Sequence, residues 1–148
     1  MATNHDIINE LRKSYAMELE TVQNYLANAI DLDGVRAEEI KKALLRDIEE
    51  ELGHARKLGN RIKVPEGRVP GSHDLDRTQR FLQPPKDSTD VIAVIRDVIR
   101  AEVEAIDQYK KIIKMCDPID FVTQESHPRH HCAGTSASPA IYRVPLRI

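Results

Sequence analysis

A chain of 148 residues suffices for one domain that buries its own core without disulfides or a structural metal. Charged residues make up 31%, yet the net charge is only −2, so nothing points to a nucleic-acid partner, and no apolar run is long enough to span a bilayer. The first ten residues lack a basic start and an apolar middle, which sets a cytoplasmic location as the expectation. Cys116 and Cys132 fit no disulfide or zinc spacing and read as reduced thiols.

From about Asn4 to Asp31, apolar residues recur in steps of three and four: Ile8, Leu11, Tyr15, Val22, Tyr25 and Ala29. This predicts a helix with one buried stripe, whose single charged member is Glu18, ended at Asp31-Leu32-Asp33-Gly34. Gly34 is suited to the left-handed conformation there. A second helix, Ala37 to about Ile62, carries Ile40, Leu44, Asp47, Glu51, His54, Leu58 and Ile62 inward. Between Lys63 and Lys86 the chain turns to Pro, Gly and polar residues, a connection long enough for the next helix to run parallel to the second.

Ser88 is the predicted N-cap of a third helix with Val91, Ile95, Val98, Glu102, Ala105, Tyr109 and Ile112 inward, stopped at Asp117-Pro118. After Glu125 the helical period is lost. Residues 126–148 read as an irregular tail, and His127, His130, His131 and Cys132 there are read as solvated rather than metal-binding. The domain boundaries are therefore 1–125 for the helical bundle and 126–148 for the tail.

Glu51 and His54, three residues apart on one helix, project from the same face and can share a metal ion. Three helices each place a lone carboxylate in an apolar stripe: Glu18, Glu51 and Glu102. Burying ionised carboxylates side by side without a partner costs several kcal/mol, and no Lys or Arg falls on these inward positions. Protonation or a bound cation resolves this, and carboxylates with a neutral imidazole suit iron, manganese or zinc. The competing reading puts each glutamate at a bundle edge, against water or a surface lysine. A repeat also shows: Glu18-Leu19-Glu20 with Tyr25 seven residues after Glu18, and Glu102-Val103-Glu104 with Tyr109 seven after Glu102. Glu51 follows Glu18 by 33 residues, but the position 33 after Glu102 is Thr135, so a second Glu-x-x-His is missing.

Two inward glutamates, a Glu-x-x-His helix and a Tyr seven residues after the first Glu resemble the ferritin-like di-iron proteins. Glu18-Leu19, Gln23-Asn24-Tyr25 and Glu51-Leu52-Gly53-His54 are most similar to bacterioferritins. The resemblance implies an all-α, ferritin-like four-helix bundle with a long crossover between helices 2 and 3, its fourth helix truncated or replaced by the tail. It implies Glu18 and His54 as terminal ligands of one iron, Glu51 as a bridge, Glu102 as ligand of a second iron, and Tyr25 as the catalytic residue beside the pair. The implied reaction is oxidation of Fe(II) by dioxygen or peroxide, with iron storage, in a homo-oligomer. Four of six expected ligands are present, which leaves room for at most one well-occupied metal and impaired turnover. Leu52 stands where bacterioferritins carry the haem Met, so haem is not expected.

The alternatives are a rubrerythrin-like peroxidase without its four-cysteine iron site, or a metal-free helical interaction module. Shifted by one nucleotide, codons for Ser138 to Ile148 can encode an amphipathic helix ending, and those for residues 134–138 can supply a Glu and a His. A frameshift after about residue 125 is the expectation that follows.

Overall fold

The computed structural model describes residues 2–120, which form three long helices and one short 3₁₀ turn with no strand among them. Helix α1 spans Asn4–Asp31, α2 spans Ala37–Lys63 and α3 spans Val91–Asp120, with the 3₁₀ turn at Ser72–Asp74. The readings for residues 126–148, including the tail and the frameshift, lie outside the described residues.

Helix α1 starts on a reciprocal cap. The Asp6 N–H donates to Thr3 Oγ1 at 3.2 Å and the Thr3 N–H donates back to Asp6 Oδ2 at 2.8 Å. Such a cap contributes about 1 kcal/mol by satisfying amides that the first turn leaves free. At the other end Gly34, at φ +96, turns the chain into α2. Helix α2 has Glu38 and Glu39 in its first turn and Arg61 and Lys63 in its last, charges that complement its dipole.

Two apolar clusters fix the directions. One joins Tyr25, Ala29 and Leu32 from the end of α1 with Ala37 and Leu44 from the start of α2 and Val94 and Ala101 from the start of α3. The other joins Ile7 and Leu11 with Leu58 and Ile62 and with Ile112 and Cys116. Helices α2 and α3 therefore run parallel to each other and antiparallel to α1, which packs against both. This arrangement needs the long crossover.

The crossover is laid down along α1. It leaves α2 through Gly67, where a Cβ would stand 2.7 Å from the Ile62 carbonyl oxygen, so only glycine fits. Further on, the Glu20 carboxylate accepts the Thr78 N–H at 3.0 Å and the Gln79 N–H at 3.3 Å. The buried Gln79 amide donates to Thr21 Oγ1 at 2.8 Å and accepts from Asn24 Nδ2 at 3.0 Å. Leu82 then inserts fully into the cluster around Tyr25, Ala29 and Leu32, at φ 60. Its unfavourable backbone is held by its N–H to Asp97 and by Asn28 Nδ2 to its carbonyl.

Several sequence expectations shift. Asp90, not Ser88, caps α3, since Asp90 Oδ1 accepts the Ala93 N–H at 3.0 Å, while Ser88 Oγ donates to Asp33 and ties the two inter-helix segments together. Helix α3 also passes Asp117-Pro118 and runs to Asp120. Its fully buried stripe is Val94, Ala101, Gln108 and Ile112, whereas Ile95, Glu102 and Tyr109 lie half-buried beside it. Apolar residues of α3 cover two faces, one toward α1 and one toward a groove, and periodicity alone centred the stripe between them. Asp47 sits at the rim, paired with Arg46 at 3.1 Å. Cys116 is disulfide-bonded rather than a reduced thiol; two cysteines set no spacing pattern from which pairing could be read.

Candidate metal centre

Between the two apolar clusters the three helices enclose a cavity of about 390 Å³. Its floor is α1 and its walls are α2 and α3. Glu18, Glu51, His54, Glu102 and Tyr109 all line it, among apolar residues such as Leu58, Ile106 and Ile113. The stripe that made Glu18 look inward does place it inward: Glu18 is 5% exposed and Glu51 is 7% exposed.

Ligand atoms of Glu18, Glu51 and His54 lie within 4.8 Å of one another, the one such group of His, Cys, Asp and Glu among the described residues. Because Glu51 and His54 are three apart on α2, His54 Nδ1 falls 3.1 Å from Glu51 Oε2. The same nitrogen is 3.9 Å from Glu18 Oε2 across the helix pair. Glu102 faces the same cavity from α3 but lies outside that converging set.

Two tyrosines cross between the repeats. The Tyr109 hydroxyl donates to Glu18 Oε1, and the Tyr25 hydroxyl donates to Glu102 Oε1 at 3.4 Å. Each repeat thus supplies the phenol for the other repeat's carboxylate. Tyr25 is 1% exposed and reaches the site through Glu102. Tyr109 lines the cavity itself and was not singled out from the sequence, although its place in the repeat was the signal that pointed to it.

The electrostatics follow from burial. Removal from water, with the Glu51 carboxyl alongside, holds Glu18 well above the usual carboxylate range. Burial also acts on Glu51, but the hydrogen bonds from His54 and Glu18 outweigh it and bring Glu51 down. His54 is raised, chiefly by its hydrogen bond to Glu51. Burial and then the Glu51 charge push Glu102 up to about 7. Both phenols are raised, first by burial and then by the carboxylate each faces. Burial thus favours the protonated form of the Glu18 and Glu102 carboxyls. Two carboxylates with one imidazole are a donor set that suits iron, manganese or zinc, so the residues fit a metal ion.

A family model described as ferritin-like domain matches residues 8–126. The chain belongs to the ferritin-like family. Its all-helical bundle, with α2 and α3 parallel across a long crossover, is that fold. No curated protein and no solved structure matches the chain. Among the described residues no helix is long and apolar enough to cross a membrane.

Proposed function

We propose that this ferritin-like protein binds iron at Glu18, Glu51 and His54, and that its ancestral reaction is bacterioferritin-type oxidation of Fe(II) by dioxygen or peroxide, impaired in this chain. The observation that carries it is the convergence within 4.8 Å of ligand atoms from two buried carboxylates and the half-buried His54 beside an open cavity. Glu18-Leu19, Gln23-Asn24-Tyr25 and Glu51-Leu52-Gly53-His54 support the bacterioferritin type, without haem because Leu52 replaces the Met.

His54 beside Glu51 and the buried Glu18 carboxyl both hold their protons more tightly than exposed groups do. Glu18, Glu51 and His54 would hold a cation in place of those protons, so its binding would release them. Tyr109 holds Glu18 by Oε1 and leaves Oε2 turned toward His54. The cavity gives Fe(II) and oxidant a route to the ligands, and its apolar wall on α3 limits the water that follows. Iron held here supplies the electrons that dioxygen or peroxide accepts, and carboxylate ligands favour the ferric product.

A cytoplasmic homo-oligomer belongs to the same proposal. Leu26, Ile30 and Leu45 expose apolar surface that a second copy can cover. So does the frameshift: the family match stops at residue 126, where the helical period also stops. Coding DNA without the shifted codons excludes that part.

Fe(II) added anaerobically to the parent and to a Glu51→Ala, His54→Ala variant, with absorbance followed on admitting air, tests the core of the proposal. The parent retains iron. The variant binds it more weakly by at least the roughly 10- to 100-fold that loss of an outer-sphere partner alone costs. Equal behaviour of the two proteins overturns the iron reading and leaves a helical interaction module in its place.

A further inference from the structure

We infer that the groove between α2 and α3 is the docking site for residues 142–148 of this same chain, laid along it as an extended strap over the mouth of the cavity. The strap goes beyond the proposed function; only its effect on metal uptake rests on that reading.

The first ground is the groove itself. Helices α2 and α3 both pack chiefly on α1 and leave a gap between them, into which the cavity opens. Its α3 side carries Ile106 and Ile113, both half-buried, and beside them Val103 at 52% exposed. On α2 it ends at Val64, 43% exposed. Apolar surface of this kind gains stability when covered.

The second ground is a tether. Cys116, buried on α3 less than one turn beyond Ile113, is disulfide-bonded, and Cys132 is the one other cysteine in the chain. That bond returns position 132 to one end of the groove. Residues 133–141, rich in Ala, Ser and Gly, then reach up to about 30 Å if extended, ample for a turn back along α3.

The third ground is the pattern of Ile141-Tyr142-Arg143-Val144-Pro145-Leu146-Arg147-Ile148. In an extended chain alternate residues share a face, so Tyr142, Val144, Leu146 and Ile148 form one wholly apolar side, with Arg143, Pro145 and Arg147 opposite. Pro139 and Pro145 disfavour a helix there. From Tyr142 to Ile148 such a strap measures about 20 Å, and α3 from Glu102 to Ile113 measures about 17 Å. The two lengths match.

Charge favours this occupant over a second copy. Residues 126–148 contain no Asp or Glu, so the strap adds no negative charge beside Glu51 and Glu102. A second copy that met this groove with its own would set the same carboxylates against each other. The family match ends at residue 126, so the strap is particular to this chain.

Limited trypsin digestion of the full, non-reduced chain tests the docking, since Arg143 lies within the strap. Cleavage after Arg143 is expected to be roughly tenfold or more slower than in a free peptide of residues 139–148, at every protein concentration. Val144→Asp with Leu146→Asp, on the apolar side, abolishes the protection, whereas Ile141→Asp, outside that side, keeps it. Cleavage as fast as in the peptide, protection that survives the double substitution, or protection that grows with concentration overturns the inference, the last in favour of a second copy. Mn(II) uptake by the double variant is expected to be several-fold faster than by the parent, to the same final amount. Unchanged uptake despite lost protection overturns the claim that the strap covers the cavity. If neither protein binds Mn(II), the proposed metal reading fails, and the digestion pattern alone decides the strap.

Discussion

The two repeats of this molecule begin from the same residues and end in different chemistry. Glu18 and Glu102 each interrupt an apolar stripe, each has a tyrosine seven residues on, and each accepts a hydrogen bond from the other repeat's tyrosine. Among the described residues only Glu18 converges with a Glu-x-x-His pair, because α2 returns antiparallel to α1 and lays Glu51 and His54 against it. Glu102 has the same first neighbour, a phenol, and faces the same cavity, but among the described residues no ligand set converges on it. A buried carboxylate alone is an electrostatic liability. With a second carboxylate beside it and an imidazole at 3.9 Å, it offers a donor set that a cation could neutralise.

The sharpest way to break this comparison is to remove the two phenols separately. In Tyr109→Phe, Glu18 loses the donor that fixes the orientation of its carboxylate, and metal affinity falls by roughly 10- to 100-fold, the usual cost of losing an outer-sphere partner. In Tyr25→Phe the bond lost belongs to Glu102, so affinity stays near that of the parent and only stability changes, by about 0.5–1.5 kcal/mol. Metal titration and thermal unfolding of the two variants separate the effects. Equal loss of affinity in both would show that the two repeats serve the metal alike.

How much of this could be read from the sequence depends on how local each signal is. A lone glutamate in an apolar stripe, and a histidine three residues after another, are visible within a few turns of one helix, so Glu18, Glu51, His54 and Glu102 could be named as site residues and all line one cavity. The boundaries of α1 and α2 were equally legible, being marked by Gly34 and by an abrupt change in composition after Lys63. The crossed tyrosine bonds were not, since a seven-residue spacing says nothing of which carboxylate a phenol will meet on another helix. Nor was the second buried face of α1, where Thr21, Asn24 and Asn28 look like surface residues until the crossover covers them with Gln79 and Leu82. Polar side chains whose partners lie more than 50 residues away in sequence carry no periodic mark of their burial.

The smallest expected effect is a pH dependence that divides between the two repeats. Glu102 has its carboxyl raised from the ordinary 4.5 to about 7, so the folded state binds that proton more tightly than the unfolded chain does. The contribution is therefore most favourable below about pH 4.5 and is lost as pH rises toward 7. His54, also raised, acts in the same sense: its contribution is present below the ordinary 6.5 and disappears as pH passes its higher folded value. Glu51 is lowered and has the opposite sign, its contribution being lost only as the solution turns acid below the ordinary 4.5. Between about pH 5 and pH 8 the metal-free protein should thus lose a few degrees of melting temperature. Glu102→Gln removes the share that belongs to the second repeat and flattens the lower part of that decline. Saturating Mn(II) removes the share that belongs to His54 and Glu18, because a cation takes over where their protons stood. If Mn(II) erased the whole decline and Glu102→Gln erased none, the proton on Glu102 would belong to the metal site, and the division between the repeats would fail.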